Sequence, residues 1–152
     1  MNDTPVFRSM NPKDEDAIGA MMKLLYESLN APDDYMTVEK INATFQQVRK
    51  QSGYLQIDVF EMDNEIAGYA LLFKYWYNEY GGMVLNIDEL FVKRAFRDRG
   101  IASRYLAHLS EGIDDCVALS LEVLPSNEGA YFLYKRSGFA EKETITLYKI
   151  LK

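Results

Sequence analysis

The feature that most constrains this chain is an apolar strand that runs into a basic glycine loop and then a helix. Leu85-Asn86-Ile87-Asp88-Glu89-Leu90-Phe91-Val92 reads as the strand and Arg97-Asp98-Arg99-Gly100-Ile101-Ala102 as the loop. The helix that follows carries Ile101, Tyr105, Leu106 and Leu109 on its apolar side, and Val117 to Leu124 reads as a second strand. Strand, helix and strand in that order predict a crossover that lays the two strands side by side and parallel. The helix start offers free backbone N–H groups and a partial positive charge, which together suit a phosphate. Arg94, Arg97, Arg99 and Arg104 gather around it.

Upstream, Val6 to Met10 reads as a short strand, and Asn11-Pro12-Lys13-Asp14 starts a helix. Ile18, Met21, Met22, Leu25 and Leu29 recur at helical spacing until Ala31-Pro32-Asp33-Asp34 breaks the pattern. Thr37 caps a second helix that runs to about Gln51. Tyr54 to Met62 and Glu65 to Tyr77 flank the turn Asp63-Asn64 as a hairpin. Downstream, Pro125 stops the second crossover strand, and Ser126 or Asn127 caps a last helix. Gly138 ends that helix in a left-handed conformation, and Glu143 to Leu151 reads as a closing strand. The order β-α-α-β-β-β-α-β-α-β predicts an α/β fold with a mixed sheet and helices on both faces. At 152 residues, one domain covering 1–152 is expected.

Composition removes several classes of function. A net charge of −6 disfavours nucleic acid, whose phosphates need a positive field. It lends some support to a cationic amine as ligand. No apolar run approaches the roughly 20 residues of a membrane helix, and the N-terminus reads as neither signal nor transit peptide. A single cysteine, Cys116, excludes an intramolecular disulfide framework and fits a cytoplasmic enzyme. Its place at a strand start favours packing over nucleophilic chemistry. The single histidine, His108, cannot build a histidine metal cluster, so no metal is expected.

Three local patterns belong together: the Asp88-Glu89 pair in its apolar strand, the RDRGIA loop, and Asn127-Glu128-Gly129-Ala130-Tyr131-Phe132-Leu133-Tyr134-Lys135-Arg136-Ser137-Gly138-Phe139. This set resembles the GCN5-related N-acetyltransferase (GNAT) superfamily. Arg97, Gly100 and Ala102 match the loop Arg/Gln-x-x-Gly-x-Gly/Ala, while Asn127, Ala130, Tyr134, Gly138 and Phe139 match the later motif. Within the superfamily the pattern looks most like the diamine and polyamine N-acetyltransferases. The resemblance implies the acyl-CoA N-acyltransferase fold, with about six to seven strands and four helices. It also implies acetyl-CoA as donor, an amine as acceptor and a homodimer.

The same resemblance distributes the site. The N–H groups of Arg97, Asp98, Arg99, Gly100, Ile101, Ala102 and Ser103 would receive the CoA pyrophosphate, and Gly100 lets the backbone come close. A bulged strand would free main-chain groups of Leu90, Phe91 and Val92 for the pantetheine arm, one of them also stabilising an oxyanion. Asn127 would bind the cofactor arm. Tyr134 would protonate the leaving thiolate. Asp98 is unusual in such a loop, and its carboxylate must turn away from the phosphates. Asp88 aligns with the glutamate proposed as base in the polyamine enzymes, Glu89 competes for that role, and alternation sends the two to opposite faces. Tyr75, Trp76, Tyr77 and Tyr80 can meet an ammonium by cation–π contact or pack in the sheet. Tyr26, Glu27, Asp33 and Asp34 lie near the bend that borders the acceptor site in the family. A small polyamine or diamine is the leading acceptor. A protein N-terminus, a lysine, an aminoglycoside, or a non-catalytic acyl-CoA-binding module are the alternatives.

Overall fold

The hairpin predicted around Asp63-Asn64 forms the middle of the sheet in this computed structural model, which describes residues 3–152. Asp63 and Asn64 carry φ of 54° and 62°. Both residue types tolerate the left-handed region, and such a pair closes a two-residue hairpin. The turn joins β2 (Leu55–Met62) to β3 (Glu65–Tyr77). β1 (Val6–Ser9) pairs antiparallel with β2, and β4 (Gly82–Val92) antiparallel with β3. β5 (Cys116–Leu121) lies parallel to β4, as the crossover requires. The sheet order is β1-β2-β3-β4-β5.

The helices α1 (Glu15–Ser28) and α2 (Val38–Lys50) cover one face of this sheet. Ile18, Met21 and Met22 of α1 and Ile41 and Phe45 of α2 meet Ile57, Val59, Tyr69, Leu71 and Phe91 there. Removing these apolar side chains from water supplies the main drive for the layer. The Thr37 hydroxyl accepts the Lys40 N–H at 3.2 Å, capping α2 as expected. On the opposite face, α3 (Ile101–Gly112) buries Ile101, Tyr105, Leu106 and Leu109. The ring of Phe7 meets those of Phe60 and Tyr105 edge-on there, and Phe60 and Tyr105 meet at a tilt.

The chain forms two compact units, Met1–Glu122 and Val123–Lys152. The second contains α4 (Glu128–Arg136). Asn127 caps it by accepting the Ala130 N–H at 3.3 Å. It ends in a Schellman arrangement: Gly138, at φ 95°, donates to the Lys135 carbonyl, and Phe139 donates to that of Tyr134.

Two expectations need correction. The sheet has five strands among the described residues, not six to seven. The expected closing strand, Glu143 to Leu151, forms no regular element, and Ile145, Leu147 and Ile150 stand more than 80% exposed at 86%, 89% and 81%. Alternating β-branched residues give a segment the capacity for a strand, but a strand exists only when a neighbour completes its ladder.

Candidate active site

The pairing of β3 with β4 slips at the carboxylates. Leu71 faces Glu89 and Leu72 faces Ile87, so Asp88 is an extra residue without an opposite number. This is a β-bulge, and it changes the phase of the strand. Glu89 shares the α1/α2 face with Leu71, whereas Ile87 shares the other face with Leu72. The bulge lies one to two residues ahead of the Leu90-Phe91-Val92 segment where the sequence suggested it.

β4 also parts from β5 at this point. The parallel pairing runs from Met83 opposite Cys116 to Ile87 opposite Leu121, and β5 ends there. From Asp88 through Val92, β4 has no β5 partner. The main-chain groups of Leu90 and Val92 turn toward that open edge, where the Val92 carbonyl accepts from Arg97, whereas the Phe91 carbonyl faces Gly68 of β3.

Glu89 is only 7% exposed and receives two hydroxyls. Tyr26 donates to Oε2 at 2.8 Å and Tyr69 to Oε1 at 2.7 Å. Burial pushes the Glu89 carboxyl above the ordinary carboxylate range, while the two tyrosines pull it down. Burial beside this carboxylate raises both phenols, so they remain protonated donors at neutral pH. Asp88 is exposed at the bulge. Desolvation by the surrounding protein raises its carboxyl, and the like charge of Glu122 adds to the shift. Below the bulge, Ser120 donates to Asn86 Oδ1 at 2.9 Å, and Tyr75 Oη lies 3.4 Å from Ser120 Oγ. This chain ties β3, β4 and β5 together where the splay begins.

The structure thus gathers Tyr26 and Glu89, but it does not bring Glu27 to them, because Glu27 points to solvent on α1. Tyr77 turns its hydroxyl to Glu79 at 3.0 Å, and Trp76 is 61% exposed. Asp33 and Asp34 lie exposed in the α1–α2 loop. Sequence reasoning missed Tyr69, Asn86 and Ser120. A tyrosine in the otherwise apolar run of β3 was the available signal for Tyr69, since a buried phenol needs a partner.

The loop after β4 leads into α3 through a left-handed glycine. Gly100 sits at φ 73° immediately before α3, and no side chain caps that helix. Asp98 is also left-handed, at φ 61°, and is exposed. The first-turn N–H groups of Ile101, Ala102 and Ser103 precede the first intrahelical bond, from Arg104 to the Gly100 carbonyl at 3.0 Å. Arg97 folds back, its Nε donating to the Val92 carbonyl at 2.9 Å, and so braces the loop against β4. Arg99 reaches Asp3 and Asp63 at 3.3 and 3.2 Å. Uncapped donors at a helix N-terminus fit a pyrophosphate. In the second unit, Tyr134 packs its ring against Phe139, and burial raises its phenol, which stays protonated at neutral pH.

A mixed sheet splayed beside a carboxylate-bearing strand, followed by a glycine-headed helix, is the architecture of an acyl-CoA N-acyltransferase. The sequence profile of the Acetyltransferase (GNAT) family matches residues 20–139. The chain belongs to that family and is an N-acetyltransferase. Among curated proteins, none matches the sequence. Several solved structures share the fold. An integron cassette protein from the mobile metagenome of Cole Harbour Salt Marsh is 25% identical, with 96% of this chain and 90% of that one covered and a TM-score of 0.77. A possible acetyltransferase from Clostridium difficile 630 is 16% identical, with coverages of 97% and 99% and a TM-score of 0.81. AAC(6')-Iy, in complex with the bisubstrate analogue CoA-S-monomethyl-acetylneamine, is 19% identical, with coverages of 98% and 99% and a TM-score of 0.79. Among the described residues no group of side chains is arranged to hold a metal ion, and no helix is long and apolar enough to cross a membrane.

Proposed function

We propose that the protein transfers the acetyl group of acetyl-CoA to a small primary amine, with a diamine or polyamine as the leading acceptor, and that chain 1–152 acts as one catalytic domain. The carboxylate pair at the β4 bulge carries this reading. An ammonium must be held and must lose a proton before it can attack, and two adjacent carboxylates with different surroundings can divide those tasks. Asp88, open to water and raised in pKa, takes the proton directly or through a water. Glu89, fixed through both oxygens by Tyr26 and Tyr69, holds the positive charge and keeps the bulge in shape. Acetyl-CoA supplies the activated acyl group. Its pyrophosphate is assigned to the N–H groups around Gly100 to Ser103, and its arm to the open edge at Leu90 and Val92. Asn127 is assigned to the cofactor arm and Tyr134 to protonation of the thiolate, both on the strength of their motif.

Thiol release from acetyl-CoA, measured in parallel with diamines, polyamines, amino acids, aminoglycosides and peptides, tests the acceptor. Fastest turnover with an aminoglycoside or a peptide would replace the polyamine assignment. Asp88→Asn should lower kcat by about 10²–10⁴-fold, the usual worth of a general base. It should also remove the acidic limb of the pH–rate profile, which exists in the parent because Asp88 must be deprotonated to act and lies above the ordinary carboxylate range because desolvation and Glu122 raise its carboxyl. Glu89→Gln should instead raise KM for the amine and keep that limb. Tyr134→Phe with unchanged turnover would remove Tyr134 as the acid. A homodimer is part of the proposal, supported by the apolar side chains exposed between Ile145 and Leu151. Light scattering at the mass of a single chain would reject it.

A further inference from the structure

A cavity of about 260 Å³ opens on the α3 face of the sheet, the face opposite Glu89. Parts of β1 to β4 and the last turn of α3 line it. Asp58 of β2 stands at this cavity and is only 8% exposed. Its partners are neutral: the Tyr105 hydroxyl at 2.6 Å and the Gln56 amide at 3.3 Å. The two permanent cations of the lining are engaged elsewhere. Arg8 is held by Asp14 and Glu61, each at 2.7 Å, and Lys74 by Asp115 at 2.7 Å. Asp58 therefore has no permanent counter-charge: burial raises its carboxyl, and His108 is the one basic side chain of the lining whose charge acts to lower it. A cation that enters the cavity would stabilise the buried carboxylate.

A second feature points the same way. α3 ends at this cavity, at Gly112, without a basic residue in its last turn. Its last carbonyls and the negative end of its dipole are thus uncompensated beside the cavity. The rest of the wall is formed by apolar Phe7, Leu85, Leu109 and Ile113 with Ser9 and His108, the rings of Phe7 and His108 lying with centroids 5.2 Å apart. A water occupies about 30 Å³ of liquid, so the cavity has room for a chain of several heavy atoms. We propose that this cavity binds a small primary alkylammonium, its NH3+ group on Asp58 and the terminal carbonyls of α3, its alkyl chain along Phe7 and Leu85. This site is separate from the β4 carboxylates and does not depend on which amine is acetylated.

The test is an amide NMR titration of the full chain at pH 8 with propylammonium chloride, against sodium propionate and sodium chloride. Saturable shifts are expected at Asp58, His108 and Gly112 with propylammonium alone, and they should persist in Glu89→Gln. Asp58→Asn should weaken this binding at least about tenfold, as loss of a charged hydrogen-bond partner does. Gly112→Lys provides a second variant that introduces no backbone clash, because a Cβ at Gly112 meets nothing within 4 Å. Its tethered ammonium should occupy the cavity and abolish the shifts. Equal shifts with propionate, no saturable shifts at these amides, or shifts unchanged in both variants would overturn the proposal.

Discussion

Asp88 and Glu89 are neighbours with unlike surroundings, and the difference comes from which atoms stand around each. Glu89 has two phenols within hydrogen-bond distance and almost no water, whereas Asp88 has solvent and the charge of Glu122. Tyr69→Phe isolates one of these effects. It leaves a buried carboxylate oxygen short of a donor, which should cost about 1–3 kcal/mol of stability, read as a lowered denaturation midpoint. A midpoint equal to the parent's would mean that water takes the place of the hydroxyl. Much at this scale was legible in the sequence. Thr37, Asn127 and Gly138 announce their caps and stops by residue type alone, since each acts on backbone within a few positions. The partners of Glu89 were not all legible, because Tyr69 reaches it from another strand and only the register brings them together.

Elements in this fold are placed by close approaches as much as by apolar area. Gly68 of β3 shows the point: a Cβ there would lie 2.2 Å from the Phe91 carbonyl oxygen and 2.9 Å from the Phe60 ring. The backbone of β4 cannot retreat without disturbing the strand that carries the carboxylates. Gly68→Ala should therefore destabilise the chain by about 1–3 kcal/mol, the range for overpacking, with thermal denaturation as the measurement. It should also lower activity in the fraction that stays folded. The hairpin, the crossover and the first three helices were legible as elements because each has its own period and punctuation. The bulge was legible only through the family resemblance, and its position at Asp88 was not, since the extra residue interrupts alternation without leaving a mark in composition. The closing strand was misread for a related reason: alternation records what a segment can pair with, and the partner is a matter of topology.

Across the whole molecule, one ion cluster ties the start of the chain to the sheet. Arg8 on β1 bridges Glu61 on β2 and Asp14 in the turn before α1, and Asp14 also accepts the Asn11 N–H at 2.7 Å. The Arg8 hydrogen bond holds the Asp14 carboxyl below its ordinary range, and the Asn11 N–H adds to this. A carboxyl lowered on folding binds fewer protons in the native state than in the unfolded chain. Its contribution is therefore complete above the ordinary aspartate pKa and is lost as pH falls through the native value. Asp14→Asn should flatten the acid side of the stability–pH curve and lower stability near neutrality by about 2 kcal/mol. That is below the 3–5 kcal/mol of a fully buried pair, because Arg8 remains partly solvated. Urea denaturation at several pH values distinguishes this from a uniform loss, which would leave the slope intact.

The bulge in β4 has a consequence for how such an enzyme can change over generations. Interior strand positions ordinarily tolerate no deletions, since losing one residue turns every later side chain over. At Asp88 the extra residue already separates two halves of opposite phase, so its removal would leave Ile87 and Glu89 on the faces they now occupy. The scaffold and the chemistry are therefore separable by a single codon. A lineage that dropped it would keep the sheet, both helical layers and the glycine loop while losing the carboxylate proposed here as the base, and on that proposal would become a carrier of the donor instead of a catalyst.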